Sequence, residues 1–364
     1  MISSVFRYLS RHIDSFLMGC LVMAMLTGFA VLYSASGESL DRVMAQGINL
    51  LVALLLMWLV ANIPPQHLER ISLPLYVLGL LLLVGVALFG EISHGARRWL
   101  HLGVVKIQPS ELIKIAVPMM LAWYFSKREE TPKLYDHAFG AVLLAVPVVL
   151  IMKQPDLGTS LMIAASGFYV LFLAGLSWKL LVGAGVVAAA AGPVFWSLLH
   201  DYQRRRIEIL FDPYQDPLGA GYHTIQSSIA LGSGGVGGKG WLKGTQSQLD
   251  FLPERTTDFI FAVFGEEFGL VGNLLLLFLF TLIIGRGLYI AAQAQNTFCR
   301  LLAGSIALTF FTYVFVNMGM VSGILPVVGV PLPLISYGGT SLVTLLLGFG
   351  ILMSIQTHKK LVTT

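Results

Sequence analysis

The chain has 364 residues, of which 56% are hydrophobic and only 12% charged. A soluble domain is nearer a quarter charged because its surface faces water, so this composition excludes a soluble multidomain protein and leaves a polytopic membrane protein. The net charge of +4 suits anionic lipid headgroups and needs no nucleic acid to explain it.

Apolar windows of spanning length fall, in chain order, at 15–35, 46–63, 71–90, 111–126, 137–152, 158–176, 178–200, 258–283, 299–319 and 338–356. At about 20 residues per crossing they predict about ten transmembrane helices, an all-α fold with both termini on one side. No dyad alternation of the barrel type competes. The first window follows Arg7 and Arg11 and is long for the apolar core of a signal peptide, so it reads as a retained anchor. Cys20 and Cys299 lie in or beside apolar runs and read as buried thiols. Short segments on the side of the termini carry Arg7, Arg11, Lys127, Arg128, Lys133, Lys359 and Lys360. The positive-inside bias therefore predicts cytoplasmic termini.

That orientation puts 91–110, 153–157 and the long 201–257 segment outside, between them carrying Arg97, Arg98, Lys106, Lys153, Arg204, Arg205, Arg206, Lys239, Lys243 and Arg255. Cations there run against the insertion bias. Anionic ligand groups would account for them, and so would pairing to carboxylates and lipid phosphates. In KIQPSELIK, Pro109 and Ser110 open a helix, Glu111 sits in its first turn, and Lys106 and Lys114 flank the opening. A helix N-terminus with two ammoniums suits a pyrophosphate. In LIMKQPDLGTS, Lys153 and Asp156 interrupt an apolar run. They are either ligand-binding or a charge pair at a re-entrant turn.

A long segment without structure of its own is uncommon and usually functional. Within 201–257, Gly232-x-Gly234-x-x-Gly237 lacks the strand–turn–helix context of a dinucleotide site. A phosphate-binding loop also fails, because Ser233 stands where its first glycine belongs and Gly240 follows Lys239. A flexible, close-packed turn is the better reading. The segment ends on Asp250, Glu254, Arg255, Thr256, Thr257 and Asp258. Thr256 or Thr257 is a sound N-cap, which predicts Asp258 in the first turn of the next helix. There Asp258 either complements the helix dipole or, partly buried, serves as a base with a raised pKa. Glu266 and Glu267 follow and must face other helices or water. No histidine–cysteine cluster suggests zinc, whereas Mg²⁺ or Mn²⁺ bridging a pyrophosphate needs few protein ligands.

The runs GARRWLHLG, QPSELIK, KQPDLGTS, PLPLISYGGTSL and DPLGAGYHTIQSSIALGSGGVGGKGWLKGTQSQLDFLPERTTDFIFAVFGEEFGLVG resemble the SEDS family of bacterial peptidoglycan polymerases, over nearly the whole chain. GTQSQLDFLPER and SYGGTSL look most like the elongation member, with the division member second. The resemblance implies one ten-helix transmembrane domain that polymerises lipid II, a disaccharide-peptide on undecaprenyl pyrophosphate, at the outer face of the cytoplasmic membrane. It also implies a class B penicillin-binding protein as cross-linking partner within the elongation machinery. The family's essential aspartate falls on Asp258, a sensitive acidic position on Asp250, and basic positions on Lys106 and Lys114. Asp250 replaces the commoner Glu, Lys106 the commoner Arg, and Thr256 the commoner His. Inverting transfer needs a base and positive charge for the departing pyrophosphate. Asp258 is the expected base, and Lys106, Lys114, Arg204 and Arg206 are expected at the pyrophosphates, with Lys153 and Asp156 as further candidates. A lipid II flippase and a scaffold for the partner are the rival readings.

Overall fold

The computed structural model describes residues 11–93, 96–102, 105–128, 132–154, 156–192, 196–197, 201–219, 221–249, 251–252 and 254–359. Each apolar window is met by a helix: α1 (Ser15–Ala35), α2 (Leu40–Ala61), α3 (Pro65–Phe89), α4 (Pro109–Ser126), α5 (Leu134–Met152), α6 (Leu157–Leu173), α7 (Trp178–Ala190), α11 (Ile260–Ala292), α12 (Thr297–Val321) and α13 (Thr340–Thr357). Among the described residues, seven helices are long and apolar enough to cross a membrane: α1, α2, α3, α5, α11, α12 and α13. Helices α6 and α7 are shorter apolar helices. Helix α4 carries Glu111 and Lys114 near its start and is mostly buried from Ile113 to Phe125. It packs against α3, α5, α6, α12 and α13, so the charged residues enter the bundle where other helices, rather than lipid, surround them.

The all-α expectation needs one amendment. Glu91–Ser93 (β1), Ala96–Leu102 (β2) and Val105–Ile107 (β3) form a small antiparallel sheet in the order β1-β2-β3. The long 201–257 segment is also not an unstructured loop. It holds α8 (Asp201–Phe211), a 3-10 turn (Pro213–Gln215), α9 (Tyr222–Ser233) and the single turn α10 (Thr245–Gln248). Helix α9 lies against α11 and α12 and buries Thr224, Ser227 and Ala230.

Helix α11 is broken at Gly269, where φ is 64° and ψ −163°, a conformation that residues with a side chain avoid. Glycines 234–240 close round the break. Lys239 and Gly240 donate their N–H groups to the Glu266 and Glu267 carbonyls at 3.0 and 2.9 Å, and Leu270 and Val271 donate to the Gly235 and Val236 carbonyls at 3.0 and 3.1 Å. A Cβ at Gly238 would stand 2.1 Å from the Glu267 carbonyl oxygen, and one at Gly269 would stand 2.3 Å from the Gly238 nitrogen. The glycine run is therefore a belt that satisfies the backbone groups freed by the break, as irregular backbone inside a membrane protein requires.

At the opposite end of the bundle the two ends of the fold meet. Arg286 binds the Asp14 carboxylate through Nε at 3.2 Å and Nη2 at 2.5 Å. The His12 and His358 rings stack with centroids 4.2 Å apart.

Candidate functional site

Residues 254–259 form a turn ahead of α11, and the helix begins only at Ile260. The expected capping by Thr256 or Thr257 is not found, and Asp258 lies before the first helical turn. The reason is competition for the backbone. Tyr337 N–H donates to the Thr256 carbonyl at 2.8 Å, and Ser336 Oγ donates to the Thr257 carbonyl at 2.6 Å. Asn317, wholly buried in α12, donates through Nδ2 to both the Asp258 carbonyl at 2.8 Å and the Val330 carbonyl at 2.7 Å. Arg42 Nη1 reaches Thr256 Oγ1 at 3.4 Å, and Thr257 Oγ1 donates to Glu254 Oε2 at 2.9 Å. The turn is thus clamped between α2, α12 and the connection 322–339.

This clamp leaves the Asp258 side chain half-buried beside Gly329. Burial, with a contribution from the Glu254 carboxylate, pushes its pKa up from 3.8 to about 6. A carboxylate in that range is a competent base near neutral pH. Glu254 itself has a φ of 50°, uncommon for a residue with a Cβ. His223, near the start of α9, stacks on Phe259 with centroids 5.5 Å apart, and burial holds its imidazole below the ordinary value.

Lys114 lies one turn inside α4, as its spacing predicts. Its Nζ is 2.6 Å from Glu111 Oε1 and 5.7 Å from the centre of the Tyr313 ring. Tyr313 precedes Asn317 by four residues, so the two share a face of α12. Asp156 lies within electrostatic reach of Tyr313. One stretch of α12 thereby gathers Lys114, Glu111, Asp156 and the backbone of Asp258. Lys114 and Tyr313 also line a narrow cleft between α4, α6, α12 and α13, with Met162, Leu302, Leu332 and Leu345 among its walls.

The remaining sequence candidates are placed less uniformly. Asp156 is buried and caps α6 by accepting from Thr159 N–H at 3.2 Å, while Lys153 is exposed at the end of α5. Arg204 Nε and Nη2 donate to the Trp196 and Ser197 carbonyls at 2.9 and 2.7 Å, so its fork already binds protein. Lys106 belongs to β3 and Arg206 to α8, but their side chains lie outside the described part, and Asp250 lies outside the described residues. Glu266 is fully buried and accepts from Lys239 Nζ at 2.7 Å, Thr245 N–H at 2.9 Å and Gln246 N–H at 3.1 Å; Glu267 accepts from Ser34 Oγ. Glu266 thereby holds the long segment onto the bundle, and Glu267 ties α11 to α1. Sequence reasoning missed Asn317 and His223. The signal for Asn317 was there, a lone amide inside an apolar run. His223 gave none beyond its place in the long segment. Among the described residues no group of three or more His, Cys, Asp or Glu is arranged to hold a metal ion.

A family model described as "Cell cycle protein" and labelled FTSW_RODA_SPOVE matches residues 13–361. The chain is 54% identical to peptidoglycan glycosyltransferase MrdB of Escherichia coli K12, covering 97% of this chain and 95% of that protein. It is 36% identical to the probable peptidoglycan glycosyltransferase FtsW of Geobacter metallireducens, covering 96% and 97%. Among solved structures it resembles a chain of a peptidoglycan synthase complex described as coordinating polymerization and crosslinking, with a TM-score of 0.83, 33% identity, and 95% and 99% of the two chains covered. It also resembles the rod shape determining protein RodA of Thermus thermophilus, with a TM-score of 0.72, 29% identity, and 95% and 98% covered.

Proposed function

The chain belongs to the FtsW/RodA/SpoVE family, and on that premise we propose that it is a peptidoglycan glycosyltransferase polymerising lipid II during cell elongation. Transfer takes place at the outer face of the bacterial cytoplasmic membrane, with the termini in the cytoplasm and a class B penicillin-binding protein as the cross-linking partner. The observation that carries this reading is the clamped, half-buried Asp258 with its pKa near 6, close to a lysine-bearing apolar cleft.

Asp258 accepts the proton of the acceptor's GlcNAc 4-hydroxyl. The oxygen attacks the anomeric carbon of the lipid-linked donor from the face opposite the pyrophosphate. A glycosidic bond forms, the bond from the anomeric carbon to the phosphate oxygen breaks, and undecaprenyl pyrophosphate leaves with the bonding pair. Lys114, Lys106 and Arg206, with Lys153 at the same end, offset its charge. Arg204 adds its charge at longer range, since its Nε and Nη2 are held by the Trp196 and Ser197 carbonyls. Asp156 orients α6, and Asp250 serves as a further substrate-binding residue. The cleft beside Lys114 suits the polyprenyl chain. Asp258 and Glu254, whose carboxylates influence each other, are the residues that would hold a divalent cation, because such ions need only one or two protein ligands. That ion would supply further charge stabilisation to the leaving group.

The test is polymer formation from labelled lipid II by the purified chain with its partner in detergent. A glycan ladder is expected, and folded Asp258→Ala is expected to lose at least about a hundredfold in rate. Wild-type rate in that variant would remove Asp258 as the base. A wild-type protein that makes no polymer would favour a transporter or scaffold.

A further inference from the structure

A second cleft, polar rather than apolar, lies between α8 and the 3-10 turn. It is open to solvent and is lined by Arg204, Arg205, Glu208, Ile209, Gln215 and Asp216. Its formal charges balance, two guanidiniums against two carboxylates. Arg205 Nη2 is 2.5 Å from Asp216 Oδ2, and the Arg204 fork is bound to main-chain carbonyls. A phosphate entering here would meet cations already engaged and two carboxylates that repel it. A ligand rich in hydroxyls meets the opposite situation, since the guanidinium and amide donors stand beside carboxylate acceptors and each hydroxyl both gives and takes a hydrogen bond. Next to the cleft in sequence, the Tyr214 and Phe211 side chains are 73% and 83% exposed. Exposed aromatic faces of this kind stack against the C–H faces of sugar rings.

The cleft is tied to the reaction site. Gly219 and Gly221 donate their N–H groups to the Asp216 carbonyl at 3.2 and 3.0 Å. Gly221 opens α9, whose His223 stacks on Phe259 next to Asp258. The geometry points to this cleft as a carbohydrate site that holds the glycan strand already made, through Arg205, Glu208 and Gln215, while the end of that strand reacts at Asp258. The inference rests on the polymerase reading above. It assigns the Arg205 and Glu208 side of α8 to a neutral polar ligand rather than to the pyrophosphate.

Two readouts on the chain with its partner test it: the rate of the first linkage between two lipid II molecules, and the mean strand length at long times. Glu208→Ala and Gln215→Ala are expected to leave the first linkage within about twofold and to shorten strands about fivefold, the effect of losing about one hydrogen bond to the strand. A peptide-free glycan octasaccharide should show ligand-observed NMR saturation transfer with the wild-type complex and bind about fivefold more weakly to Gln215→Ala. Unchanged strand length, or equal loss in both readouts, overturns the proposal. So does weaker co-purification with the partner at unchanged strand length, which would make the cleft a protein contact. Failure of the polymerase reading looks different, as the wild-type complex would then form no first linkage.

Discussion

Asp258 illustrates how one residue's surroundings set its chemistry. Its pKa of about 6 is due first to burial and then to Glu254, so the polymerisation rate should fall on acidification with a midpoint near pH 6 rather than near 4. Glu254→Gln removes a like charge, favours the ionised form, and should move that midpoint to lower pH. Stability carries the opposite sign to activity. The folded pKa lies above the unfolded 3.8, so this group's contribution to stability is fully present below pH 3.8 and lost as pH rises through about 6. At neutral pH the charged Asp258 is therefore a cost of up to about 3 kcal/mol. Asp258→Asn should raise the Tm in detergent at pH 7.5 while abolishing polymerisation, and an unchanged or lower Tm would contradict the burial argument. The sequence made Asp258 legible as a candidate through its place at an apolar entry. Its clamp was not legible, because Asn317, Ser336 and Tyr337 act on main-chain carbonyls from positions at least 59 residues away.

At the scale of elements, the break in α11 and the glycine belt depend on each other. LGSGGVGGKG reads correctly as a close-packed turn, yet nothing in it names its partner, and Gly269 is hidden inside the continuous pattern EEFGLVGN. The belt is latched by one buried ion pair, Lys239 to Glu266, whose side chains are 28% and 0% exposed. Lys239→Ala leaves a wholly buried carboxylate without its cation and should destabilise the protein by about 3–5 kcal/mol. The measurement is the midpoint of thermal unfolding in detergent, with Lys239→Arg expected to retain most of the wild-type value. An unaltered midpoint in Lys239→Ala would mean that the N–H groups of Thr245 and Gln246 suffice to hold Glu266.

For the whole molecule, the helices were legible because a bilayer leaves the backbone few alternatives, and each apolar window contains most of a helix. The ends were less legible: α2 starts at Leu40 because Ser39 caps it, and α11 runs to Ala292, past its window. The sheet and the helices of the 201–257 segment were hidden because their residues answer to neighbours in space rather than to lipid. The stacked rings of His12 and His358 have a consequence for the order of the chain itself. Positions that close need only a short linker, so the protein should accept circular permutation, with 358 joined to 12 and new ends opened in the turn between α4 and α5. Every helix would keep its direction and the clamp on Asp258 would stay whole. The permutant should therefore polymerise lipid II, and loss of activity in a folded permutant would show that the native order of synthesis contributes to the assembled site.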